Sequence, residues 1–315
     1  MTFGLRFTVI ALAAFSVASA IGSLAVWWLM RRVRYGVDIG ATALFQLRLA
    51  PAVLSAVVLF LAVVSFEQFE PRGVQEHTGL LLMLFAAIGG ATLATMAARL
   101  ATMARASARA VTAWMTSAEA ITLPGVAIPA YRIDSSFPVV AIAGLFRPRL
   151  LIARSVLEAC PPDELEAILA HERWHLRNGD NARRLLVAAA PDVLMWTPLS
   201  RRLAGLWQAA AEDAADAEAG LTHPTGRVSL AQALIRVGRL APAGLTPTDL
   251  PASALFRGEN LERRIRRLLD PPANFATHRE SPSWLIVTAA SLLVVSLFAL
   301  QPIHELVEAV VAFLP

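Results

Sequence analysis

An α+β domain set into a four-helix membrane region is the fold that the sequence predicts, on three observations. Four apolar runs are long enough to cross a bilayer. Short β-like runs gather between the third and the fourth, and helical signals follow those runs to the fourth span. The composition agrees: of 315 residues, 56% are hydrophobic and only 17% charged, against about a quarter charged in ordinary soluble domains.

The spans come first, since a bilayer core of ~30 Å takes about 20 residues of helix. They are expected at 7–30, 49–66, 79–98 and 284–300. The first is too long for the core of a signal peptide, and Arg31, Arg32 and Arg34 follow it with no cleavage site. Arg48 stands at the entrance of the second, where a long side chain can snorkel toward headgroups.

All 28 basic residues are arginine and the net charge is +4. Nucleic-acid binding would need these arginines on one face; here they gather beside the spans, so no direct nucleic-acid partner is expected. Positive charge beside a span reports its cytoplasmic side. Arg31–Arg48, Arg99–Arg109 and Arg263–Arg267 mark the inside, and Glu67, Glu70 and Glu76 the outside. The organisation that follows is three spans in 1–98, a cytoplasmic domain in 99–283, and a fourth span with a short external tail in 284–315. Both termini are expected outside.

Within the cytoplasmic section, Val126–Ile133, Val139–Ala143 and Leu150–Ala153 read as short strands of a small antiparallel sheet. Val139–Ala143 is a candidate edge strand, to which an extended peptide could add. Pro161, Pro162, Asp163 and Glu164 then open a helix running into His171, with further helices expected over 180–190, 200–219, 228–240 and 261–269. The interval 185–199 is apolar but broken by Pro191, Asp192 and Pro198, which fits a segment lying against the membrane better than one crossing it. Cys160 is the one cysteine, so no intramolecular disulfide forms and a thiolate cluster is excluded. It reads as a structural thiol.

The chemistry gathers at His171-Glu172-Arg173-Trp174-His175, an HExxH pattern late in its helix. Spacing of i and i+4 puts both imidazoles on one face, able to grip one Zn²⁺. Glu172 is rotated off that pair, placed to take a proton from an attacking water and return it to a leaving amine. Catalytic zinc generally takes a third protein ligand. The HExxHxxGxxH route is closed, because Asn178 and Asn181 stand where Gly and His are needed. Glu212 and Asp216, four apart on an alanine-rich helix, offer a ligand and a carboxylate to orient an imidazole. Asp213 and Glu218 are weaker substitutes, and His223 reads as a loop residue.

These residues carry a family resemblance. The HExxH at His171–His175 with ExxxD at Glu212–Asp216 resembles the BlaR/MecR-type sensor metallopeptidases, peptidase family M56. Gly144-Leu145-Phe146-Arg147-Pro148-Arg149 and Arg264-Ile265-Arg266-Arg267-Leu268-Leu269 resemble it too, and with the span order the likeness covers most of the chain. It implies a gluzincin-like α+β zinc-metallopeptidase domain inserted in a four-helix transmembrane region of a bacterial inner membrane. His171, His175 and Glu212 would be metal ligands, Glu172 the acid/base and Asp216 an outer carboxylate. The implied substrate is a cytoplasmic or membrane-proximal protein, with a transcriptional repressor as the implied partner. The sensor proteins continue into an external penicillin-binding domain whereas this sequence ends at Pro315, so direct β-lactam sensing is not expected. The competing expectation is a zinc-binding signalling or scaffold protein without turnover, against which the intact Glu172 argues.

Overall fold

The computed structural model describes residues 3–32, 39–69, 79–242 and 261–271, with single residues near the C-terminus. Two compact units separate. One holds Met1–Arg99, Val187–Leu206 and the described residues of Glu280–Pro315; the other holds Leu100–Leu186 and Trp207–Arg279.

The first unit is built on α1 (Phe3–Arg32), α2 (Ala41–Phe69) and the start of α3 (Leu80–Met115). Each is long and apolar enough to cross a membrane. Leu24, Trp27, Trp28, Leu80, Met83 and Leu84 are exposed on these helices, as surfaces meeting lipid require. At the end of α1 the guanidinium groups of Arg31 and Arg32 lie 4.2 and 4.6 Å from the rings of Trp27 and Trp28, an amphipathic arrangement suited to a membrane–water interface. Small residues let the helices approach: a Cβ on Gly89 would lie 2.4 Å from the carbonyl oxygen of Leu12. Next to that contact, the Ser16 hydroxyl donates to the Phe85 carbonyl at 2.8 Å. Packing of this kind replaces the hydrophobic drive that lipid cannot supply.

Two expectations about this unit change. The third helix does not end with its span, because Leu100–Met115 contains no Gly or Pro to stop it. Arg48 does not snorkel. It is fully buried, and its Nη1 donates to Asp192 Oδ2 at 2.5 Å. Asp192 caps a 3₁₀ turn, Val193–Trp196, by accepting from the Met195 N–H. The Val193 N–H donates to Ser19 of α1 at 2.7 Å, and Arg99 reaches the carbonyls of Ala188 and Met195. Val187–Leu206 thus groups with the spans through specific polar contacts. The predicted fourth span, 284–300, lies outside the described residues apart from Ala290.

The second unit carries a four-stranded sheet in the order β1-β2-β4-β3, from β1 (Glu119–Ile121), β2 (Ala130–Ile133), β3 (Val140–Ala143) and β4 (Arg149–Ala153). The sheet is mixed, not antiparallel as expected: β4 runs parallel to β2 and antiparallel to β3. The cause is the hairpin at 144–148, where Gly144 takes φ 99°, a conformation that favours glycine. That hairpin sets β4 against β3, and β4 then fills the place beside β2.

Side chains alternate between two apolar layers. Val140, Ile142, Leu150 and Ile152 pack with Ile168, Leu169, Leu230, Leu234 and Val237 on one face. Val139, Ala141, Ala143 and Leu151 pack with Val111, Trp114 and Met115 on the other. The helices of the first layer are α5 (Pro162–Arg177), with α4 (Arg154–Ala159) before it, and α8 (Gly226–Leu240). Arg236 ties α8 to the buried Glu164 of α5 by two bonds of 2.8 Å. α6 (Asp180–Ala189), α7 (Pro198–Leu221) and α9 (Leu261–Leu269) complete the helices among the described residues.

Candidate metal centre

The centre is set by how α5 begins and ends. Pro162 occupies the first turn, where its missing N–H costs nothing, and Asp163 and Glu164 complement the helix dipole there. At the other end Gly179 takes φ 64° and its N–H bonds the Leu176 carbonyl, closing α5 in a tight turn. That turn starts α6 at once and brings Asp180 back onto α5.

His171 and His175 lie one helical turn apart and are 0% and 6% exposed. Their Nε2 atoms are 3.1 Å apart. From α7, Glu212 Oε2 lies 3.5 Å from His171 Nε2 and Oε1 lies 3.7 Å from His175 Nε2. A zinc ion ~2.0–2.1 Å from each donor sets tetrahedral ligand atoms about 3.3–3.4 Å apart. The donor atoms of the triad all lie within 4.8 Å of one another and could hold a metal ion.

Each imidazole is held from behind. Asp216 Oδ1 lies 2.9 Å from His171 Nδ1, and Asp180 Oδ2 lies 2.6 Å from His175 Nδ1. Both Nδ1 atoms face carboxylates, which turns both Nε2 atoms toward the shared space. Behind the carboxylates stands Arg264 of α9. It is 4% exposed, donates through Nε and Nη2 to both oxygens of Asp216 at 2.8 and 2.6 Å, and lies 3.2 Å from Glu212 Oε2. Arg263 and Arg267 meet Asp213 at 2.7 and 3.0 Å. Most of the basic run that read as an orientation signal and as part of the family resemblance therefore engages the acidic face of α7.

Electrostatics sort the site further. Burial pulls the His171 value down, but its contacts with Asp216 and Glu212 prevail and lift it to about 9. His175 is held low, with burial the largest cause. Burial also works against the Glu212 charge, but Arg264 and the two histidines overcome it and keep the carboxyl well below its usual range. Glu172 differs: it is 1% exposed, neither oxygen has a hydrogen-bond partner among the described residues, and burial pushes it up to about 8.

The structure thus brings His171, Glu172, His175, Glu212 and Asp216 into one cluster. Asp213 faces arginines instead, Glu218 pairs with Arg177 near the surface, and His223 contacts Thr225 in an exposed turn. Sequence reasoning missed Asp180, Arg184 and the site role of Arg264. Asp180 lies five residues past His175, a spacing that becomes a contact only through the turn at Gly179. Cys160 is 8% exposed, and burial raises its thiol to about 11, in keeping with a structural role.

The edge-strand expectation meets an obstacle. β3 does lie at the sheet edge, but Asn181 donates to the carbonyls of Ile142 and Gly144 at 2.9 and 3.1 Å. Val139 pairs inward with Ala153, so by alternation Ile142 turns its carbonyl outward. A peptide pairing there must displace the Asn181 amide.

A His–His–Glu donor set with both histidines buried, in a chain with three helices apolar enough for a membrane, suits a membrane metallopeptidase. The model of the family Peptidase M56, described as BlaR1 peptidase M56, matches residues 78–268, more than half of the chain. The chain belongs to this peptidase family. A comparison with curated proteins gives no match.

Proposed function

We propose that the protein is an integral-membrane zinc endopeptidase that hydrolyses a peptide bond in a cytoplasmic or membrane-proximal protein. The observation that carries this reading is the convergence of His171, His175 and Glu212, whose donor atoms lie within 4.8 Å of one another, with the buried Glu172 beside them in sequence. Zinc held there supplies Lewis acidity, polarising the scissile carbonyl and acidifying water.

The chain's own residues do the rest. A Glu172 oxygen takes the proton of the attacking water and passes it to the departing amine nitrogen. Its burial favours the neutral form, so the proton it holds between the two transfers is not lost to solvent. Asp216 and Asp180 keep the two imidazoles oriented through Nδ1, and Arg264 keeps Asp216 and Glu212 ionised in a buried place.

Family membership implies a protein substrate, and a transcriptional repressor is the partner this reading favours. The reading places the protein in a bacterial inner membrane with the peptidase unit cytoplasmic and both termini outside, on the arginines beside the spans.

Metal analysis with a cleavage assay tests the function. Glu172→Gln is expected to keep one zinc per chain and lose turnover, whereas His171→Ala, His175→Ala and Glu212→Ala each lose metal. Full zinc and full activity in Glu212→Ala would remove the third ligand. Comparing cytosolic proteins by mass spectrometry in cells carrying the intact chain or Glu172→Gln identifies the substrate.

A further inference from the structure

Arg184 is a buried cation whose surroundings do not use it up. It sits on α6 one turn after Asp180, on the face that Asp180 turns toward His175. Its guanidinium is 8% exposed, and Nη2 makes a long contact, 3.4 Å, to Glu212 Oε1. Nε and Nη1 are buried with no hydrogen-bond partner among the described residues. Glu212 does not need this cation for neutralisation, because Arg264 lies closer, at 3.2 Å, on the other oxygen. Unmet donors on a buried cation are costly, so a structural role accounts for one of its nitrogens and leaves two idle.

Those two nitrogens belong to a guanidinium that contacts the candidate ligand Glu212, next to which the reaction would develop charge. When water adds to a peptide carbonyl, the new C–O bond forms, the water proton goes to Glu172, and the carbonyl π pair moves onto oxygen. The oxyanion then collapses, the C–N bond breaks, and the proton held by Glu172 goes to the amine. Arg184 adjoins Glu212, and its charge acts on Glu172. Its guanidinium therefore adjoins the candidate metal ligands through Glu212.

We propose that Arg184 is a catalytic residue, donating from Nε and Nη1 to the oxyanion that forms on the scissile carbonyl. The inference rests on the metallopeptidase reading and adds an electrophilic group to it. Donors fixed in advance at such a place stabilise the transition state more than the ground state.

The test uses the full chain in detergent micelles, loaded with zinc, and two probes. N-phosphoryl-leucyl-phenylalaninamide presents a tetrahedral oxyanion; acetohydroxamate chelates a metal without one. Calorimetry gives both affinities, chelator competition gives zinc affinity, and a melting temperature checks folding. Arg184→Ala is expected to lose on the order of 100-fold in phosphoryl-probe affinity, with zinc and acetohydroxamate affinity within about threefold of the original chain. Arg184→Lys should also lose phosphoryl affinity at unchanged zinc affinity, since one ammonium cannot reproduce the fixed fork, and it serves as the second variant should the alanine form not fold. Unchanged phosphoryl affinity overturns the proposal. So does a parallel fall in all three affinities, which makes Arg184 only a clamp on Glu212. A wild-type chain that binds neither zinc nor either probe fails earlier, and removes the metallopeptidase reading itself.

Discussion

Asp180 Oδ2 lies 2.6 Å from Nδ1 of His175, the residue five places before it. The contact crosses the turn at Gly179 and settles which ring nitrogen faces the metal site. With Nδ1 protonated and bonded to the carboxylate, Nε2 carries the lone pair and points toward His171 and Glu212. Asp180→Ala is therefore expected to lower zinc affinity by about 10- to 100-fold, the usual effect of removing such a partner. Chelator competition measures it. An unchanged affinity would show that the ring is oriented by packing alone.

The second prediction concerns Arg264, which is buried between Asp216 and Glu212. Without it, two carboxylates lie close together in a buried place with only the histidines and the long contact of Arg184 to balance them. Removing one member of a buried ion pair costs about 3–5 kcal/mol, so Arg264→Ala should lower the melting temperature by several degrees. Arg264→Lys should recover only part of this, since an ammonium cannot make the two-pronged contact with Asp216. A loss below about 1 kcal/mol in denaturant unfolding would mean that the cluster reorganises freely.

The candidate metal-binding motif was legible because its spacing does its own geometry. His171 and His175 share a helix face whatever surrounds them, and Glu212 and Asp216 repeat that logic on α7. The residues that hold this set were not legible, since their contacts depend on tertiary structure. Asp180 needed the positive φ of Gly179, and Arg264 needed α9 placed so that its side chain reaches α7. The basic run of α9 had a sufficient local explanation beside a span, and that explanation hid its pairing with Glu212, Asp213 and Asp216. Strand direction was lost for a related reason: alternation within β4 does not reveal that it lies between β2 and β3, parallel to one and antiparallel to the other.

The third prediction is a pH dependence. Without metal, His171 is raised from 6.5 to about 9 and Glu172 from 4.5 to about 8. Both folded values exceed the unfolded ones, so the folded chain holds more protons between about 4.5 and 9. The stability contributed by His171 is complete below about 6.5 and is lost as pH rises through 9; charging Glu172 adds a cost over about 4.5 to 8. Zinc needs the lone pair of His171 Nε2 and so competes with its proton. Apparent zinc affinity should climb about tenfold per pH unit between roughly 7 and 9, and the zinc-induced rise in melting temperature should grow over the same interval. A flat profile would show that His171 is already neutral in the empty site.

The last prediction concerns Arg48 and Asp192, both fully buried with their charged atoms 2.5 Å apart. Nε and Nη2 of Arg48 have no hydrogen-bond partner among the described residues, so Asp192 is the group there that makes its charge tolerable inside an apolar helix bundle. Asp192 also accepts from the Met195 N–H through Oδ1, and one substitution to alanine would mix the two effects. Asp192→Asn separates them, because the amide oxygen can still cap the 3₁₀ turn while the charge is gone. It should cost about 3–5 kcal/mol, the toll of an orphaned buried cation, against about 1 kcal/mol for a lost cap alone. Arg48→Met combined with Asp192→Asn should recover most of the loss, since an apolar side chain of similar length needs no counter-ion there. Unfolding in mixed micelles, followed by tryptophan fluorescence, reads all three variants. If the double variant were no more stable than Asp192→Asn, the cost would lie in repacking around residue 192, and the buried pair would not be what holds Val187–Leu206 to α2.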